Sequence, residues 1–187
     1  MQPQKLCMDG LLVALVAIGA YMDVRARRIP NWLTVTLMTS GIVLSMTPFG
    51  LVSPVQSLAG LAVGLAVPLL LYFLGGLAAA DVKLLAGIGA WVGPVTVLMV
   101  LAAAAIVGLV LVLAQCMVQG RMAVLLRNTG TLALSLLNLP RLGLRHVIET
   151  GQRCQSANRP LPYALTVLLG TVAVLALLIV RREGGLL

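Results

Sequence analysis

Charged side chains are scarce in this sequence, and their scarcity excludes a soluble globular domain. Only 10% of the 187 residues are charged, whereas 60% are hydrophobic, and the mean hydropathy is +1.08. Soluble domains have about 25% charged residues and about 45–50% apolar residues, because polar side chains must cover their surface. A chain with so few charges is soluble only in a lipid bilayer. We therefore expect a single membrane domain over residues 1–187.

Residues that commonly hold metals or form disulfide frameworks are also few. The three cysteines lie far apart without a CxxC pair, which excludes the common zinc-ribbon spacing and a disulfide framework. His146 is the one histidine, and the absence of an HExxH motif excludes that class of zinc metalloprotease. A Ser–His catalytic pair would have to use His146, which is far in sequence from any serine in an apolar segment. We expect neither a metal nor a cofactor.

The excess of basic residues indicates a membrane rather than a nucleic acid as the partner. The chain has 13 Lys and Arg against 5 Asp and Glu, but no aromatic residues alternate with the basic ones as in nucleic-acid-binding surfaces. Lysine and arginine gather at the cytoplasmic ends of membrane helices. Arg25, Arg27 and Arg28 follow the first apolar run, which is the reverse of a cleaved signal. We expect the first helix to end in the cytoplasm.

Apolar runs of roughly 20 residues, the length that crosses the hydrocarbon layer, predict the helices. The stretch 84–118 has 35 residues, too long for one crossing, and Gly93-Pro94 would divide it into a short helix and a long one. The other predicted helices are Leu6–Met22, Trp32–Thr47, Gln56–Leu77 with a kink at Pro68, and Leu161–Val180.

The placement of basic residues favours two crossings for the stretch 84–118. With six helices, ten of the thirteen basic residues lie on the cytoplasmic side, whereas five helices would split them between the two sides. We therefore predict an all-α, polytopic protein of about six transmembrane helices. Its cytoplasmic loop, about 119–160, either lies on the membrane surface with its arginines toward anionic head groups or is disordered.

Two of the five acids, Asp23 and Asp81, lie where apolar segments meet the cytoplasmic boundary. Ionisable residues at membrane depth are costly and indicate function. Two close carboxylates share a proton, so that one activates water and the other polarises a peptide carbonyl. Alternatively, each acid simply pairs with a neighbouring base, Arg27 or Lys83. Asp9 lies near the outer end of the first helix, where we expect an acid to reach water.

Three segments carry a resemblance to a known family. Asp23-Val-Arg-Ala-Arg-Arg-Ile-Pro-Asn-Trp32 resembles the first catalytic segment of the type IV prepilin peptidases. Gly75-Gly-Leu-Ala-Ala-Ala-Asp-Val-Lys-Leu-Leu85, followed by Gly89-Ala-Trp-Val-Gly93, resembles the second, and Leu161-Pro-Tyr-Ala164 resembles a further family feature. These segments occur in the family's order and cover most of the chain.

The resemblance implies an aspartic endopeptidase of the bacterial inner membrane, with Asp23 and Asp81 as its catalytic pair at the cytoplasmic face. Its substrates would be prepilin or pseudopilin precursors, each with a short basic leader ahead of a hydrophobic helix. Longer members also carry a methyltransferase portion with paired CxxC motifs, so this chain resembles the short, peptidase-only branch of tight-adherence (Flp-type) pili. The residues expected to bind substrate or support the pair are Arg27, Arg28, Pro30, Asn31 and Lys83.

One departure concerns the second motif, Gly-x-Gly-Asp in the family, because Ala78 and Ala80 occupy both glycine positions. Alanine favours a helix over glycine by about 1 kcal/mol, so the alanines would be able to continue the third helix and displace Asp81. Such a displacement would make the chain a weak or inactive homologue that serves as a scaffold in pilus or secretion assembly. A transporter with both acids as an ion relay is a third interpretation, which predicts acids near the bilayer midplane and two related halves.

Overall fold

The computed structural model describes residues 3–48, 50–73, 76–120, 122–137 and 163–183. Over these ranges the chain has no strand, which confirms the all-α prediction. Seven helices lie within the described residues: α1 (Pro3–Ala26), α2 (Asn31–Ser45), α3 (Pro54–Phe73), α4 (Ala79–Val92), α5 (Pro94–Val118), α6 (Met122–Leu137) and α7 (Tyr163–Glu183).

Four of these helices are long and apolar enough to cross a membrane: Gln4–Ala26, Pro54–Phe73, Pro94–Val118 and Tyr163–Arg181. Helices α2 and α4 have 15 and 14 residues, fewer than the roughly 20 of an ordinary crossing. The predicted count of six crossings therefore stays a prediction. Large apolar side chains cover the outside of α5, for example Ile106, Leu109 and Val110, which are 57–64% exposed.

Helix α4 forms the centre of the bundle, and from Asp81 to Val92 only Lys83 is exposed. It packs between α2 and α3. The indole Nε1 of Trp91 donates a hydrogen bond to the carbonyl of Leu37 in α2 (2.9 Å). The hydroxyl of Ser57 in α3 donates to the carbonyl of Ala90 (2.6 Å). These two hydrogen bonds hold the C-terminal end of α4 against α2 and α3.

Glycines allow α3 and α4 to touch along their backbones. A Cβ atom at Gly60 would collide with the carbonyl oxygen of Gly89, and one at Gly64 would lie 2.6 Å from the carbonyl oxygen of Leu85. The Gly60-xxx-Gly64 pattern is therefore a packing face inside the chain, as in other membrane helix pairs with small residues at their contact. On the other side of the bundle, α7 packs against both α1 and α5.

The helix boundaries differ most from the predicted ones at three places, and they agree at the predicted Gly-Pro turn. Helix α1 continues to Ala26 instead of ending at Met22, α3 ends at Phe73 instead of Leu77, and α4 already begins at Ala79. Gly93 has a φ of +83° and Pro94 begins α5, so the predicted turn divides the long apolar stretch.

Helix α6 lies in the segment that was expected to be a surface or disordered loop, and it packs against α5. The rest of that predicted loop, 138–160, lies outside the described residues. Asp9 also differs from its expected place in water, because it is only 7% exposed.

Candidate active site

Asp23 lies in the last turn of α1, which ends through a left-handed residue. Arg27 has a φ of +50°, and its N–H donates to the carbonyl of Asp23 (2.8 Å). This bond and this conformation form the αL motif that closes many helices, usually with glycine at the left-handed position. The half-buried carboxylate of Asp23 accepts a hydrogen bond from the backbone N–H of Ala164 in the first turn of α7 (3.4 Å). The end of α1 therefore faces the start of α7.

Asp81 lies in the first turn of α4 and is only 5% exposed. Its Oδ2 atom accepts a hydrogen bond from the N–H of Ala78 (3.4 Å). Carboxylates are favourable in the first turn of a helix, where backbone N–H groups lack helical partners. Both aspartates thus accept hydrogen bonds from backbone N–H groups at helix N-termini, Asp81 at α4 and Asp23 at α7.

The alanines before Asp81 do not continue α3. The N–H of Gly76 donates to the carbonyl of Leu71 (2.9 Å), which is the long-range bond of a Schellman-type helix end. Ala78 is extended, with a φ of −90° and a ψ of 153°, a conformation that any L-residue adopts without strain. Ala80 lies within α4, where alanine is the best helix former. Neither position requires the glycine of the family motif.

The two carboxylates lie close enough for their negative charges to repel each other. They come from helices far apart in sequence, and the contacts of both are with backbone N–H groups rather than with Arg27 or Lys83. The described residues therefore do not show the alternative in which each acid forms an ion pair with a neighbouring base. Residues 10–113, which contain both aspartates, match the family model described as the type IV leader peptidase family.

This chain belongs to the type IV leader peptidase family. The match covers more than half of the 187 residues, and it confirms the family that the sequence motifs indicated. No curated protein and no solved structure matches the chain.

The residues expected to support the pair in this leader peptidase fall into two groups. Lys83 donates a hydrogen bond from Nζ to Oδ1 of Asn31 (3.0 Å), which joins the start of α2 to α4 two residues beyond Asp81. Pro30 is extended and precedes the first residue of α2. Arg27 and Arg28 are exposed on the turn between α1 and α2. The structure thus brings Asn31 and Lys83 together and leaves the two arginines at the surface.

Tyr163 is the residue of this site that was given no role from the sequence. It is the first residue of α7, half-buried, and it lies within electrostatic range of Asp81. Thr166 holds this turn, because its hydroxyl donates to the carbonyl of Tyr163 (2.7 Å). The sequence did contain a signal, the Leu-Pro-Tyr-Ala segment ending at Ala164, but nothing in composition or spacing gives that segment a chemical role.

Among the described residues, the groups at this site that could bind a metal ion are the carboxylates of Asp23 and Asp81. Across the described ranges, no three His, Cys, Asp or Glu side chains are grouped so as to hold a metal ion. The arrangement has two acids within electrostatic range of each other, each bonded to a backbone N–H at the N-terminus of a helix. Two such carboxylates can bind a water molecule and present it to a carbonyl group.

Proposed function

We propose that this leader peptidase is an aspartic endopeptidase whose catalytic pair is Asp23 and Asp81. Its substrates are prepilin or pseudopilin precursors, which it cuts at the cytoplasmic face of the bacterial inner membrane. The observation that carries the proposal is that two carboxylates, from α1 and α4, lie within electrostatic range of each other and each accept a hydrogen bond from a backbone N–H at a helix N-terminus. Membership of the leader peptidase family supports the substrate class.

The reaction is the addition of water across one peptide bond. The ionised carboxylate takes a proton from water while the water oxygen attacks the carbonyl carbon, and the protonated carboxyl donates a hydrogen bond to the carbonyl oxygen. When the tetrahedral intermediate collapses, the C–N bond breaks and the nitrogen receives a proton from the carboxyl pair. The products are a leader with a new carboxylate and a mature chain with a new amino group.

The path of the chain through the bundle supports six crossings and one membrane domain over 1–187. The start of α2 lies at the aspartate end of the bundle, because Asn31 is bonded to Lys83. The end of α4 lies at the opposite end, beside the start of α3, since a Cβ at Gly93 would lie 3.8 Å from the carbonyl oxygen of Gln56. Helices α2 and α4 therefore run the length of the bundle in spite of their shortness. The cytoplasmic side is then the aspartate end, where Arg25, Arg27, Arg28 and Lys83 lie among the described residues.

The inactive-scaffold alternative depended on displacement of Asp81 by the alanines before it. Ala78 and Ala80 both occupy backbone conformations that suit alanine, so this alternative has no structural feature in its favour.

Co-expression with a candidate precursor tests the proposal, with leader removal read by mass spectrometry. We expect the wild type to cut, and Asp23→Asn and Asp81→Asn each to lower the rate by at least about 1,000-fold, because loss of one member disables the pair. Asp9→Asn is the matched control, since Asp9 is a buried acid on α1 roughly 20 Å from Asp23 along the helix axis. The proposal is wrong if folded wild-type protein leaves intact a precursor that a known leader peptidase cuts.

A further inference from the structure

An apolar cavity adjoins the aspartate pair and has no part in the mechanism above. It lies between α3, α5 and α7 and has a volume of about 380 Å³. Apolar side chains and two glycines dominate its lining, which includes Leu71, Leu77, Gly108, Val112, Tyr163 and Thr166. Its size falls in the range of ligand-binding pockets, about 300–1,000 Å³.

Two lining residues connect the cavity directly to the carboxylates. Leu77 is followed by Ala78, whose N–H binds Asp81, and Tyr163 is followed by Ala164, whose N–H binds Asp23. Leu77 and Tyr163 are therefore each one residue away from a backbone group that holds an aspartate. Tyr163 also lies within electrostatic range of Asp81. A peptide bond held between the carboxylates would have its neighbouring side chains at the mouth of this cavity.

We propose that the cavity binds the apolar side chain on the carboxyl side of the scissile peptide bond, and thereby selects the precursors that are cut. This inference rests on the proposed function. A precursor of that class has a basic leader before the scissile bond and a hydrophobic helix after it, and an apolar cavity accepts an apolar side chain but not a basic one, because burying an unpaired charge is costly. The cavity walls are three of the four long apolar helices, so the occupant enters from the membrane, where the hydrophobic helix of the substrate lies.

Gly108 controls the size of this cavity. A Cβ atom at this position would meet only Cγ2 of Thr166, at 3.8 Å, which is an ordinary van der Waals contact. Because Gly108 lines the cavity, we expect a larger side chain at this position to extend into it. Gly108 is therefore a specificity-determining residue that can be changed without disturbing the packing of α5 on α7.

The test compares Gly108→Ala and Gly108→Leu on two precursors that carry Leu or Ala directly after the scissile bond. We expect the wild type to prefer the Leu precursor. Gly108→Leu should lower kcat/KM for the Leu precursor by about 10-fold or more, as for extra methylenes in an apolar pocket, and change it little for the Ala precursor. Gly108→Ala should give an intermediate ratio.

Gly10→Leu is the matched control. Gly10 lines a second cavity, of about 330 Å³, between α1 and α7 at the opposite end of the bundle, and a Cβ there meets nothing within 4 Å. This variant should leave the ratio of the two precursors unchanged. The proposal would be overturned if Gly108→Leu cut both precursors at the wild-type rate, or if it lost the same fraction of kcat/KM on both. A lipid chain would then remain as the occupant of the cavity.

A binding measurement separates this proposal from the proposed function. A precursor with a benzophenone side chain directly after the scissile bond is photo-crosslinked to the wild type and to Asp81→Asn, and the adduct is mapped by mass spectrometry. Crosslinks to Leu71, Leu77 or Val112 support the cavity even where no cleavage occurs, in which case only the proposed function fails. Cleavage with crosslinks elsewhere overturns the cavity proposal alone. If there is neither cleavage nor a crosslink to the cavity, both the cavity proposal and the proposed function are overturned.

Discussion

At the scale of single residues, the short segment before Asp81 shows how a departure from a motif is tolerated. Glycine is needed where the backbone takes a positive φ or where a Cβ atom would collide. Ala78 is extended at a φ of −90°, and Ala80 is helical in the first turn of α4. Both conformations are open to alanine, so the family's glycines at these two places are replaceable in this chain.

We therefore expect that restoring the glycines brings no gain in activity. Ala78→Gly should leave the cleavage rate within about 3-fold of wild type, which corresponds to less than 1 kcal/mol in the barrier. Ala80→Gly should lower the free energy of unfolding by up to about 1 kcal/mol, because it places glycine inside a helix. Leader removal and thermal unfolding in the same detergent check both. A 10-fold faster double variant would show that the alanines do displace Asp81.

Arg27 is the residue whose backbone conformation suits its side chain least. It is the one non-glycine residue with a positive φ in the described part of the chain, and an L-residue in that region costs roughly 1 kcal/mol relative to glycine. Arg27→Gly should therefore raise the free energy of unfolding by about 0.5–1 kcal/mol, whereas Arg27→Gln should not.

Arg27→Gly and Arg27→Gln also distinguish the effect of the backbone turn on cleavage from the effect of the positive charge. Cleavage lost in both Arg27→Gly and Arg27→Gln would assign a role in substrate binding to the guanidinium group. Cleavage retained in both would restrict Arg27 to the turn and to contact with lipid head groups. Arg28→Gln, at the next exposed position, is the control for a general loss of positive charge. An unfolding temperature for Arg27→Gly below that of the wild type would contradict the strain argument.

At the scale of elements, the position of Asp81 depends on the packing of α4 against α3. Their backbones touch at Gly60 and Gly89, and Gly64 lies against Leu85. Close approach of this kind has no free space for a methyl group, and overpacking of a buried contact costs typically 1–3 kcal/mol. The glycine face is therefore what allows α4 to occupy the centre of the bundle.

Gly60→Ala should lower the free energy of unfolding by about 2 kcal/mol or more, and it should reduce cleavage because α4 moves together with Asp81. Gly130→Ala on α6 is the matched control, because a Cβ at Gly130 meets nothing within 4 Å. Thermal unfolding and leader removal are measured on both variants. A Gly60→Ala protein as stable as Gly130→Ala would mean that α3 and α4 are not in backbone contact.

Helices and candidate acids were predictable from the sequence, but the contacts that hold the acids were not. Apolar runs and the turn at Gly93 predict the main helices, because burial in lipid depends on composition alone. The bond between Ala164 and Asp23 joins residues 141 positions apart, and no local pattern specifies it. The early end of α3 involves Gly76, which counts as helical in an apolar window although its N–H closes the helix on the carbonyl of Leu71.

At the scale of the whole molecule, the lengths of α2 and α4 have a consequence for the bilayer. Helices α2 and α4 have only 15 and 14 residues, so each is about 22 Å long at 1.5 Å per residue. The hydrocarbon core is about 30 Å thick. A helix this short is accommodated by local thinning of the bilayer or by water entering from one side. If α2 and α4 both cross, we expect the aspartate end of the bundle to lie below the general level of the head groups, where water would reach the carboxylates through a local depression.

Six crossings make a clear prediction about the side on which each turn is accessible. Single cysteines are placed at Arg28, Ser53 and Ala79, all exposed, after the native cysteines have been replaced by alanine. A maleimide that does not cross membranes should label Ser53→Cys in intact spheroplasts, and Arg28→Cys and Ala79→Cys only after lysis. If α2 and α4 did not cross, Ser53 would share a side with Arg28, and Ala79 would lie on the other side. That labelling pattern would also place Asp23 and Asp81 on opposite faces of the membrane, where they cannot form a catalytic pair.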